Sequence, residues 1–144
     1  MHTSHGLFDG VFGRGAVDTS DQAWLQAMLD TEAALARALE QAGMAPPGAG
    51  AAVTAAARAE AFDAAELGRQ AALTGNPVPA LVRELIRRLP PGPAAAVHQG
   101  ATSQDIVDTA AMLLTRQSLG VISDDLAAAS PRPPAWRRCT GTPS

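Results

Sequence analysis

The densest chemistry in this chain lies in Val97-His98-Gln99-Gly100-Ala101-Thr102-Ser103-Gln104-Asp105-Ile106-Val107-Asp108-Thr109. An imidazole, two adjacent hydroxyls, an amide and two carboxylates fall there within about three helical turns. Thr102 or Ser103 is a good N-cap for a following helix, and Asp105 stands three residues after Thr102, the spacing of a capping box. A helix N-terminus presents unpaired N–H groups and a partial positive charge, which suits an anion. The hydroxyls add donors without charge, and His98 can donate to a carboxylate or carry a proton near neutral pH. A substrate with several carboxylates fits that set. The plainer reading is a capping box, two aspartates against the helix dipole, and a loop histidine bonded to a backbone carbonyl. On spacing alone the plainer reading is favoured. No histidine or carboxylate cluster has metal-ligand spacing and no glycine pattern follows a strand, so neither a metal nor a dinucleotide site is expected.

The elements that would position this stretch are helical. Thr19 and Gln22 have capping-box spacing, and Leu25, Met28, Leu35 and Leu39 follow as a buried stripe, with Trp24 and Leu29 beside it. Gly43 and Pro46-Pro47 end that helix. Glu32 falls inside the stripe, so it is expected to be partly buried and to need a partner. An ion pair with an arginine is the favoured partner and a site carboxylate the alternative. Gly48 to Arg58 is mostly alanine and reads as a short helix. Asp63 and Glu66 open the next helix, which ends near Gly75-Asn76. Pro79 suits the first turn of a helix with Leu81, Val82, Leu85, Ile86 and Leu89 on one face and Arg83, Arg87 and Arg88 solvated opposite. Pro90-Pro91-Gly92-Pro93 stops it. Ile106, Ala110, Leu113, Leu114, Gln117, Val121 and Leu126 then predict a helix of roughly 25 residues. A helix that long, with few later elements to pack on, implies a bundle completed by further chain or other subunits.

Composition agrees and excludes some functions. The chain has 144 residues, 47% hydrophobic but only 3% aromatic, with much alanine, which favours close-packed helices over sheets; the expected fold class is all-α. The last fifteen residues hold three arginines and no acid, so the body before them carries 8 Arg against 14 acids, a net charge of −6 that argues against nucleic acid. The single cysteine, Cys139, allows no disulfide within the chain. Neither a signal peptide nor an apolar run of membrane-spanning length is visible, so a cytoplasmic, non-membrane protein is expected. Residues 1–18, with Gly10, Gly13 and Gly15 around Phe8, Val11 and Phe12, read as an irregular arm. Residues 19–93 read as an N-terminal helical domain, 94–129 as the signature loop and a bundle helix, and 130–144 by composition as a disordered tail.

His98 to Thr109 resembles the first signature of the fumarase/aspartase superfamily, in its adenylosuccinate-lyase-like branch. Met28 to Ala38 resembles the same branch. Leu7-Phe8-Asp9 and Gly75-Asn76-Pro77-Val78-Pro79 make the chain most like the bacterial 3-carboxy-cis,cis-muconate cycloisomerase family, over about residues 7 to 128. Adenylosuccinate lyases carry a catalytic histidine-aspartate pair where this chain has Asn76-Pro77. The resemblance implies that Thr102, Ser103 and Gln104 bind a substrate carboxylate, that His98 is the catalytic group in the site, and that Asn76 lines it. It implies a small polycarboxylate substrate, no cofactor and no metal, and a homotetramer of chains about three times this length, each site being shared among subunits. The reaction implied is lactonisation in the protocatechuate branch of aromatic degradation. Two later family signatures, one with the serine base, have no counterpart here. Residues 136–143, back-translated with one choice of codons and read one base earlier, resemble the start of the second signature. A frameshift near Ser130 and a chain inactive by itself are therefore expected. An adenylosuccinate or argininosuccinate lyase relative, or a small non-catalytic helical protein that binds a partner, are the alternatives.

Overall fold

Helix α1, Asp21–Gln41, begins where Ser20, in extended conformation, turns its hydroxyl to accept the Ala23 N–H at 3.3 Å. The Asp18 carboxylate accepts the Ser20 N–H at 2.9 Å, so the cap sits one residue later than the expected Thr19. The computed structural model describes residues 17–129. The arm expected over residues 1–18, apart from Val17 and Asp18, lies outside the described residues, as do the tail of 130–144 and its frameshift. Asp18–Thr115 forms one compact unit.

Leu25, Met28, Leu29, Glu32, Ala33, Ala36 and Leu39 of α1 are buried, a line at three- and four-residue spacing. Met44 donates its N–H to the Leu39 carbonyl at 2.8 Å, and Gly43 takes the left-handed φ of 71° that this ending requires. Helix α2, Ala49–Ala56, folds back along α1. A Cβ at Gly50 would stand 2.7 Å from Arg37 Cγ and 2.8 Å from Arg37 Cα, so glycine permits the close approach. The Glu40 carboxylate accepts the N–H groups of Gly48 at 2.6 Å and Gly50 at 2.7 Å, capping α2 from the neighbouring helix. These two bonds, Gly48's first, hold the Glu40 carboxyl below its ordinary pKa.

A single 3-10 turn, Ala59–Ala61, is tied to α1 by Gln26, whose amide donates to the Ala57 carbonyl at 3.1 Å and accepts from the Ala59 N–H at 2.9 Å. Helix α3, Ala64–Thr74, starts with the Asp63 side chain accepting the Glu66 N–H at 2.9 Å. Helix α4, Val78–Arg87, has a proline in its first turn and buries Val78, Ala80, Leu81 and Leu85. Its arginines are not a merely solvated row. Arg83 donates to Gln70, and Arg88 lies 4.3 Å from the centroid of the Phe62 ring while bonding Glu84 and the Ala61 carbonyl. Pro90 to Pro93 ends α4 as expected, yet Pro91–Ala94 also forms a one-turn helix, α5. Proline is tolerated there because first-turn N–H groups have no intrahelical acceptor.

Helix α6, Ser103–Ala129, is slightly longer than the spacing predicts. Ile106, Ala110 and Leu114 join the core with Leu29, Val53, Val78, Leu81 and Leu85. Residues 116–129 belong to the second unit, where Leu119, Ile122 and Leu126 are exposed at three- and four-residue spacing. Among the described residues every regular element is helical, which makes the fold all-α. None of those helices is long and apolar enough to cross a membrane.

Candidate functional site

The site grows from the join of α5 and α6. Ala96 and Val97 are buried and anchor the incoming chain. His98 follows at a φ of 59°, the left-handed region where a side chain costs about 1–2 kcal/mol. Gly100 takes the same hand at 75° without that cost. What holds His98 there is Glu32 of α1, which is fully buried. One carboxylate oxygen accepts the His98 backbone N–H at 2.9 Å, and the other lies 2.7 Å from the ring Nδ1. The buried acid therefore finds its partner in a histidine, not the expected arginine, and His98 bonds a carboxylate, not a backbone carbonyl. Every buried side-chain nitrogen and oxygen among the described residues has a partner.

Four residues further on, at Thr102, the capping box forms. The Thr102 hydroxyl and N–H donate to one oxygen of Asp105, at 2.9 and 2.7 Å, and the same hydroxyl accepts the Asp105 N–H at 3.4 Å. These bonds, the Thr102 N–H above all, hold the Asp105 carboxyl below its ordinary pKa, with a smaller contribution from His98. Gln104 donates to Asp108 at 3.1 Å, one helical turn on.

Asn76 reaches this end of α6 from the α3–α4 connection. Its Oδ1 accepts the Val78 N–H at 3.0 Å, and Thr74 donates to its carbonyl at 2.8 Å, so its amide orientation is set by the start of α4. Asn76, Ser103, Gln104, Val107 and Asp108 line one shallow pocket of about 210 Å³. Three of the five residues singled out from the sequence thus meet. The other two are placed differently: Thr102 is engaged in the cap and His98 is drawn onto Glu32, and neither lines that pocket. Asp108 and Val107 are its additional walls, and the turn-spaced pair Gln104 and Asp108 was the readable signal for the former. The pocket offers amide and hydroxyl donors beside the positive end of a long helix, with one carboxylate in its wall, an arrangement that can orient an oxygen-rich anion. Among the described residues no group of three or more histidines, cysteines or acids is placed to hold a metal.

A protein-family model for lyases matches residues 9–128. A nitrosuccinate lyase of Streptomyces davaonensis is 44% identical over 110 residues, covering 74% of this chain and 23% of the Streptomyces protein. A 3-carboxy-cis,cis-muconate cycloisomerase of Pseudomonas putida is 44% identical over 125 residues, covering 83% of this chain and 30% of the other. The crystal structure of the 3-carboxy-cis,cis-muconate lactonizing enzyme from Pseudomonas putida superposes with a TM-score of 0.77 at 42% identity, over 83% of this chain and 28% of that one. The chain spans less than a third of the length of these relatives.

Proposed function

The chain belongs to this lyase family, and on that premise we propose that it is the N-terminal segment of a cytoplasmic cycloisomerase that lactonises 3-carboxy-cis,cis-muconate in aromatic degradation. The observation that carries the reading is the meeting of Asn76, Ser103 and Gln104 at the N-terminus of α6. In the reaction one carboxylate of the substrate adds across a double bond and a proton goes to the adjacent carbon. Negative charge builds on a second carboxyl group as an enediolate-like system forms. Donors fixed before the substrate arrives stabilise that charge without reorganising. Ser103, Gln104 and Asn76 serve as such donors, Thr102 supports them through the cap, and His98 is the catalytic group of the segment. No residue assigned here needs a cofactor or metal.

The segment is inactive by itself, and the remaining chain and neighbouring subunits of a homotetramer complete the site. A second reading, a lyase acting on nitrosuccinate, is favoured by the equal identity to the Streptomyces protein. The test is complementation. The purified 144-residue chain is mixed with the part of the Pseudomonas cycloisomerase that it does not match, and loss of diene absorbance is followed. No turnover alone, turnover in the mixture, and its loss in Ser103→Ala are expected. Turnover by the segment alone, or turnover of nitrosuccinate but not of the muconate, overturns the proposal.

A further inference from the structure

His98 presents a puzzle that the pocket does not resolve. A left-handed turn is most cheaply made by glycine, as two residues later at Gly100, yet position 98 carries an imidazole. That ring is not turned out to water: it is drawn onto the one fully buried charged side chain among the described residues, and only 22% of it is exposed. The partners stand 66 residues apart in sequence, so the contact is made by the fold and not by local chain geometry.

The bonding pattern fixes where the ring proton sits. A carboxylate offers only acceptors. One oxygen of Glu32 is occupied by the His98 backbone N–H, which can only donate. The other faces Nδ1 at 2.7 Å, so Nδ1 must bring the hydrogen. In a neutral imidazole the second nitrogen is then bare. We propose that Glu32 is a positioning residue that locks His98 as its Nδ1–H tautomer, so that Nε2 is left as the ring's proton-accepting atom. Any further proton the ring gains must add at Nε2, and the imidazolium so formed presents its new N–H on the side away from Glu32. A carboxylate of the substrate is the partner for that N–H. The tautomer stands on the bond pattern alone; its use toward a polycarboxylate rests on the function proposed above.

The same pattern makes a sharp distinction possible. In Glu32→Gln the side chain has one acceptor and one donor end. The His98 backbone N–H still demands the acceptor, which leaves the amide NH2 facing Nδ1. Nδ1 must then be bare and the hydrogen must move to Nε2. A Glu32 that merely filled space would leave the tautomer unmoved. The chain is labelled with 15N-histidine, and ring tautomers are read from long-range proton–nitrogen correlations, with His98→Gln identifying the His98 signals. The native chain should show a protonated Nδ1 and a bare Nε2, and Glu32→Gln the reverse. A native ring protonated at Nε2, or the same tautomer in both chains, overturns the proposal. Should Glu32→Gln not fold, as circular dichroism would reveal, the native spectrum decides alone. No substrate enters the measurement, so its failure is separable from failure of the complementation assay: Ser103→Ala, which abolishes complementation, should leave the ring signals in place.

Discussion

The left-handed backbone at His98 can be weighed by replacing the residue twice. His98→Ala and His98→Gly both remove the ring that lies 2.7 Å from Glu32 and both keep the backbone N–H that the same carboxylate accepts at 2.9 Å. A bond to a charged group is worth about 1.5–3 kcal/mol, so the alanine variant should fall below the native chain by an amount of that order and the glycine variant by less. They differ in what the turn costs. Alanine at a φ of 59° carries a left-handed penalty of about 1–2 kcal/mol that glycine escapes. Glycine loses more chain entropy on folding and forfeits roughly 0.4–1 kcal/mol of that advantage. The glycine variant should therefore be the more stable of the two by about 1 kcal/mol. At a position of ordinary negative φ the order would be reversed, so the sign is decisive. Urea unfolding followed by far-ultraviolet circular dichroism gives the difference from the two midpoints at a common slope. If the alanine variant equals or exceeds the glycine variant, the loop does not hold its left-handed turn once the ring is gone. Glu32 then pins the ring but not the backbone.

Two further perturbations follow from the packing and the charges. Gly50→Ala should lift α2 from α1, because the added carbon meets the Arg37 Cα at 2.8 Å and backbone yields far less readily than a side-chain end; urea unfolding should show a loss of about 1–3 kcal/mol. Asp105 and Glu40 have folded-state pKa values below their ordinary 3.8 and 4.5. The unfolded chain binds their protons first as pH falls, so their stabilisation is present above those ordinary values and is lost as pH drops through the lowered folded values. Urea midpoints measured down through that range should decline, and Asp105→Asn should decline less steeply than the native chain.

The helices were legible because each buries one face, and burial of one face writes a three- and four-residue spacing into the sequence. Leu25, Met28 and Leu39 of α1 show it directly, and so do Ile106, Ala110 and Leu114 of α6. Glu32 was legible as an exception to the same rule: a charge inside a stripe must find a partner. Which partner was not legible, since pairing over 66 residues depends on how α1 meets the α5–α6 loop. Arginine was a reasonable expectation, but Arg83 and Arg88 are engaged near their own helix, by Gln70 and by Glu84 with the Ala61 carbonyl. The shift of the first cap from Thr19 to Ser20 has a local cause. Asp18 takes the Ser20 N–H and bends the chain so that the second hydroxyl meets the helix end. Prolines 91 and 93 do stop α4, and they do one thing more. Read as a stop, they also permit one new turn, because a first turn demands no N–H acceptor within the helix.

The adjacent hydroxyls of Thr102 and Ser103 bring the two readings of the signature together. Capping and anion binding compete for one pair of side chains in the sequence, and the fold places the two hydroxyls differently. Thr102 spends its hydroxyl on Asp105 and closes the cap, while Ser103, the first residue of α6, lines the pocket with Asn76 and Gln104. The charge in that pocket then sets a requirement. Among the described residues its lining contains one carboxylate, Asp108, and no lysine or arginine. A helix N-terminus contributes about half a positive charge, which offsets that carboxylate only in part. A substrate bearing several carboxylates would remain under-neutralised against these walls alone. On the proposed function, cationic side chains must reach the pocket from outside the described residues, and their supply by the completing chain is a physical reason to expect activity in the complemented mixture and none in the segment alone.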